Sequence, residues 1–145
     1  MRLRRDRAPS GSGEHANDLV TNRLRICVEL AQELRTDAQI DEVGRSGGLV
    51  GITFHAGMLG VDGGLDASQP LGRVVDHVDH VVERIGVDHV GFGSDFDGCI
   101  LPIELGDAAG LQRVAAALRD RGYKDEQVVK LAHGNWLRVL DETWA

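Results

Sequence analysis

Aromatic side chains are scarce: three Phe, two Trp and one Tyr make up 4% of the 145 residues. A core must therefore be built from Val, Leu, Ile and Ala, and the 42% hydrophobic fraction is ordinary for a globular domain. Cysteine occurs twice, as Cys27 and Cys99, with neither metal-site nor disulfide spacing, which reads as two reduced thiols in a cytoplasmic protein. Positive charge is in deficit, with a net charge of -7, so no general attraction to phosphate and no nucleic-acid partner is expected. No apolar run approaches the ~18 residues of a membrane-spanning helix. The basic start, Met1 to Arg7, lacks the apolar stretch of a secretory signal. Phosphate-loop, HExxH and GxSxG patterns are missing, and Gly60 to Gly64 fits no dinucleotide fingerprint.

The length suits one domain with a real core. Residues 1–15 are charged, Ser/Gly-rich and aperiodic, so a loose arm is expected there, followed by a weakly patterned helix over 17–34. Thr36 with Gln39 three residues on reads as the capping box of a helix ending near Arg45. The run 49–54 (LVGITF) reads as a buried strand, and a glycine-rich loop over 55–69 follows. Leu71, Val74, Val75, Val78, Val81, Val82 and Ile85 recur at helical spacing up to Gly86. Residues 87–92 read as a second buried strand, residues 93–108 as a loop, and helices are expected near 109–121, 124–132 and 134–143. This alternation, with both strands expected to be covered on both faces, indicates a parallel α/β sheet.

In such folds, sites gather where strands end. The segment Gly91-Phe92-Gly93-Ser94-Asp95-Phe96-Asp97-Gly98 places two carboxylates there, and the glycines leave room for a ligand. Continued strand geometry would point Asp95 and Asp97 to one side. Carboxylates so placed can bind a metal, hold an ammonium group or move a proton; alternatively they cap a turn. His55, directly after the first strand, falls at the same sheet end. His77 and His80 share a helical face, but the valines around them favour a packing role. His89 and His133 read as structural, with His133 just before a helix-ending Gly134, and His15 falls in the arm.

Several segments together resemble the membrane dipeptidase family (renal or microsomal dipeptidases). They are Thr36-Asp37-Ala38-Gln39-Ile40, Gly47 to Ile52, His77-Val78-Asp79-His80, Gly86 to Gly98, Glu104-Leu105-Gly106-Asp107, Arg121-Gly122-Tyr123 and Gly134 to Leu140. The resemblance implies a (β/α)8 barrel of the TIM type, two zinc ions bridged by a carboxylate, and hydrolysis of dipeptides. The family's zinc ligands lie in segments upstream of the matched region, so zinc is implied for the complete enzyme while no metal ligand is assigned in this chain. Asp95 matches the family's residue that contacts the substrate's free amino group and is placed to pass a proton to the leaving amine. His55 is at most a pocket-lining, substrate-binding residue. The family's substrate-carboxylate Arg would fall at Glu33, with Arg35 out of register, and residues 1–34 lack the family's Ser-His-Ser strand.

The expected organisation is therefore an unmatched segment, residues 1–35, joined to the C-terminal part of a dipeptidase-like barrel, residues 36–145: two parallel strands with flanking helices, as a truncated or misread gene would give. The expected function is that of a fragment of a zinc metallodipeptidase, inactive in isolation, whose partner is a dipeptide substrate; a homo-oligomer is left open. The alternative is a non-catalytic α/β module that lacks the zinc site.

Overall fold

In the computed structural model, residues 36–60 and 63–144 are described. The expected arm, the helix over 17–34, the boundary at residue 35, Cys27, Glu33 and Arg35 all lie outside these residues. The first helix, α1 (Asp37–Arg45), starts where the Thr36 N–H donates to Gln39 Oε1 at 2.9 Å, one half of the expected capping box. It buries Ile40 and Val43. Strand β1 (Val50–Thr53) follows, then a single buried turn of helix, α2 (Ala56–Leu59), inside the segment expected to be loop. Gly57 within this turn and Gly60 after it weaken its sequence signal, but Ala56 and Leu59 are drawn into the core.

The expected amphipathic helix is α3 (Gly72–Ile85). Its buried stripe is Val74, Val75, Val78 and Val81, and it stops at Gly86, whose φ of 88° suits glycine. A 3-10 turn (Val87–His89) leads into β2 (Val90–Ser94). The two strands pair in parallel, with Val50 opposite Val90, Gly51 opposite Gly91 and Ile52 opposite Phe92; the register then shifts to set Thr53 opposite Ser94. Parallel neighbours need a long crossover, and α3 supplies it.

Coverage of the sheet is one-sided where burial on both faces was expected. Val50, Ile52 and Phe54 are fully buried in one cluster with the valines of α3, whereas Gly51 and Thr53 are half-buried. On that second face Leu49 is buried and Gly91 is closely covered: a Cβ at Gly91 would meet Trp136 at 2.7 Å and Leu49 at 3.3 Å.

Helix α4 (Leu111–Arg121) begins after a 3-10 turn (Ala108–Gly110) whose Ala109 N–H is capped by Asp107 at 2.8 Å. Then come α5 (Asp125–Val129), a π-helical turn (Lys130–Gly134) and α6 (Asn135–Trp144), without a break. The expectation that Gly134 ends a helix is corrected: the chain widens into a π turn there and continues helical. The reason lies in the next residues. Asn135, only 3% exposed, donates to Val87 O and to Val90 O, both at 2.7 Å. Trp136 Nε1 donates to Phe92 O at 3.0 Å. Arg138 donates to Gly47 O at 3.0 Å and to Asp88 O at 2.9 Å. Three side chains of one helical segment thus satisfy backbone carbonyls along β2 and the turns that lead into both strands.

Two surface ion-pair groups join the helices. Arg84 of α3 bridges Asp37 and Asp41 of α1, each at 2.7 Å. Arg121 at the end of α4 pairs with Asp76, at 2.8 Å, and with Asp79 of α3. Exposed pairs of this kind add little stability, so the valine stripe and the α6 contacts carry most of the fold.

Val78→Asp puts an unpaired charge at a position with no exposure and should unfold the chain, read as loss of the cooperative thermal transition. Asn135→Ala leaves two backbone carbonyls without their donor. It should cost about 1–3 kcal/mol in denaturant unfolding, on the scale of one unsatisfied buried polar group. A loss under ~0.5 kcal/mol would assign Asn135 no part in holding β2.

Candidate functional site

Strand β2 gives way to loop at a sharp backbone reversal. Ser94 (φ 60°) and Asp95 (φ 73°) are the only non-glycine residues with positive φ among the described residues. Consecutive side chains rarely adopt this region, and such strain concentrates at functional sites. The reversal also corrects the expectation drawn from strand geometry, because the strand does not persist through Asp95 and Asp97. Both carboxylates lie on an exposed turn, separated by Phe96, which points back into the protein. Phe96 packs edge-on against Phe54 at 6.0 Å, and Phe54 packs edge-on against Phe92 at 5.6 Å. All three phenylalanines of the sequence thus meet beneath the acidic turn. Phe96 is the anchor that lets Asp95 and Asp97 face solvent.

The turn is also packed around Asp95 itself. A Cβ on Gly98 would lie 2.7 Å from Asp95 Oδ1, so a side chain there would push the carboxylate aside. The Cys99 thiol donates to Asp95 O at 2.9 Å. Burial, then the nearby Asp95 charge and the thiol's interaction with the Asp95 carboxylate, raise the thiol's pKa and favour its protonated form.

His55 lies two residues past the end of β1, after Phe54. The Phe54 N–H donates to Ser94 O at 3.0 Å, so His55 and Asp95 each immediately follow one member of the last cross-strand pair. The His55 N–H donates to Thr53 Oγ1 at 3.2 Å, and its imidazole lies against Gly57. Its Nδ1 is buried with no hydrogen-bond partner among the described residues. The loops after the two strands are laced together: Ala56 N–H to Ile100 O and Ile103 N–H to Ala67 O, both at 2.8 Å, and Leu71 N–H to Glu104 Oε2 at 3.0 Å. Both loops therefore occupy one end of the sheet, with Asp95 and His55 at their base.

The remaining histidines lie elsewhere. His80 is exposed and sits 3.3 Å from Asp37. His77 is half-buried, and burial is the main cause of its lowered pKa, against opposing contributions from a Leu59 backbone contact and the Asp76 charge. His89 Nδ1 lies 2.9 Å from Gly48 O in the turn before β2, and His133 is exposed in the π turn. Asp79 is held by Arg121 and by the Tyr123 hydroxyl at 2.7 Å, while burial and the Asp79 charge push the tyrosine's pKa far up. Among the described residues no group of three His, Cys, Asp or Glu side chains is arranged to hold a metal ion, so these donors do not fit a zinc site. No helix among them is long and apolar enough to cross a membrane. The supporting roles of Asn135, Trp136 and Arg138 were not recognised from sequence. A buried amide needs partners, but the pattern does not say which carbonyls it reaches.

The geometry defines a parallel α/β unit with an exposed carboxylate at the end of its second strand. Comparison with known proteins places this unit more closely. The family described as Membrane dipeptidase (Peptidase family M19) matches residues 24–145. An uncharacterized protein from the pqqA 5' region of Klebsiella pneumoniae is 47% identical over 109 residues, covering 75% of this chain and 40% of the relative. The dipeptidase ataJ of Aspergillus terreus is 38% identical over 108 residues, covering 74% of this chain and 26% of the relative. Two solved structures superpose with a TM-score of 0.72 over 74% of this chain: the metallopeptidase dipeptidase AC, at 40% identity over 32% of its length, and a Rhodobacter sphaeroides metallopeptidase liganded with a phosphinate mimic of L-Ala-D-Ala, at 41% identity over 31% of its length. The chain belongs to the membrane dipeptidase family, and it spans less than half the length of these relatives.

The environment of His77 has a consequence for stability. With its folded-state pKa below the unfolded value, the unfolded chain binds the proton more tightly. The stability present above about pH 6.5 should therefore fall as the solution is acidified through that value. The thermal midpoint should drop between about pH 7.5 and about pH 5.5. His77→Gln should flatten this part of the profile, and an unchanged slope in the variant would put the titrating group elsewhere.

Proposed function

We propose that this chain is the part of a metallodipeptidase barrel that carries the amino-group contact, with Asp95 as that contact. The single observation behind this reading is Asp95 itself: a solvent-facing carboxylate on a strained turn at a strand end, in a chain about 40% identical to solved dipeptidases. An exposed carboxylate with a fixed backbone suits an ammonium group, and in the complete enzyme the same oxygen atoms can pass a proton to the leaving amine. His55, at the base of the same loops, is at most a residue lining the dipeptide pocket, since its Nδ1 is buried away from a ligand. Zinc, which polarises the scissile carbonyl and activates water when bound, would be held by residues beyond those described. The (β/α)8 barrel and dipeptide hydrolysis are properties we assign to the whole enzyme of which this unit forms the Asp95 end.

That no metal-donor group is assembled among the described residues favours a second reading for the chain on its own: an α/β unit without catalysis. Zinc analysis beside a dipeptide hydrolysis assay separates the two. The 145-residue chain should bind no stoichiometric zinc and cleave no dipeptide. A chimera carrying the upstream strands of a relative should gain both, and Asp95→Asn in that chimera should lower kcat by ~10²-fold or more while zinc is retained. Loss of a zinc with the substitution would make Asp95 a metal ligand. Two tightly held zinc ions in the unaltered chain would overturn the reading.

A further inference from the structure

We propose that Cys99 and Gly98 are positioning residues that hold Asp95 in its left-handed backbone conformation and fix the direction of its carboxylate. The inference rests on reading Asp95 as the substrate contact and adds how that contact is kept in place. A non-glycine residue at φ 73° persists only when its surroundings over-determine it. Around Asp95 three constraints are present. Phe96 anchors the following residue in the aromatic cluster. Gly98 presents a bare Cα to the carboxylate, and its N–H approaches Asp95 O at 3.4 Å. The Cys99 thiol reaches back four residues to the same carbonyl, its sulfur 2.9 Å from the oxygen, a close contact for a sulfur donor and nearer than the Gly98 N–H. The carbonyl of the strained residue is thus gripped by the turn that follows it.

The electrostatics agree with a donor role. Because burial and the Asp95 charge disfavour the thiolate, the sulfur keeps the proton it donates and is a poor nucleophile. A hydroxyl can replace it as donor, whereas a methyl group cannot.

The test uses the 145-residue chain in a Cys27→Ala background, so that Cys99 is its only thiol. The S–H stretching band of Cys99 should lie below that of a thiol free in water. In heteronuclear NMR spectra Cys99→Ala should shift the Asp95 backbone and carboxyl carbon resonances, while Cys99→Ser should restore them toward the parent. Gly98→Ala, whose methyl group must displace the carboxylate, should move the carboxyl carbon most. A thiol band at the free position would overturn the proposal. So would Cys99→Ala lowering the thermal midpoint with the Asp95 resonances unmoved, which would make Cys99 merely structural. None of these readouts involves turnover, so their failure is distinct from failure of the dipeptidase reading, which the chimera's activity decides.

Discussion

One side-chain amide, that of Asn135, governs how the last strand is held. Its two N–H groups are spent on the carbonyls of Val87 and Val90, at the turn before β2 and at the strand's first residue. A carbonyl without a partner in a buried place costs more than a typical hydrogen bond returns, so this single amide decides where α6 can dock. Trp136 and Arg138 extend the same contact to Phe92, Asp88 and Gly47. The C-terminal helix therefore acts on both strands, because Gly47 precedes β1 by three residues and Asp88 precedes β2 by two.

From that placement the site follows. Once β2 is fixed at its start, its other end meets β1 through the bond from Phe54 to Ser94, and the chain must leave the sheet there. The three phenylalanines close the core under this exit, so the reversal at Ser94 and Asp95 is built over a packed floor rather than in a free loop. Polar groups that belong in water are turned outward as a result. The arrangement spends backbone strain where a ligand would meet the protein and recovers stability from packing beneath it.

Much of this was legible in the sequence because it rests on period and punctuation. The valine spacing of α3, the stop at Gly86, the two β-branched runs and their parallel pairing all follow from hydrophobic pattern and from connection length. The segments that resemble the dipeptidase family turned out to touch one another: Asp79 of His77-Val78-Asp79-His80 meets Arg121 and Tyr123, and Gly134 to Leu140 meets Val87 to Phe92. What remained hidden depends on three-dimensional partners. The turn at α2 is helical through burial, against the propensity of Gly57 within it. Asp95 and Asp97 part company because Phe96 finds Phe54, a contact forty-two residues away in sequence that no local pattern encodes. The half-covered second face of the sheet could not be read either, since a strand sequence records its apolar residues and not which neighbours reach them.

The π turn at Lys130–Gly134 sets the phase of everything after it. Each residue of an α-helix advances the face by about 100°, and a π turn carries one residue more than the α-helical turn it replaces. That added residue is what brings Asn135, Trp136 and Arg138 round to the strands together. Shortened by one residue into a regular helix, the segment would keep its composition and its helical character. The same three side chains would then be swung off the sheet by more than a quarter turn, with their donors aimed at nothing they now reach. Here the identity of a residue counts for less than the count of residues before it.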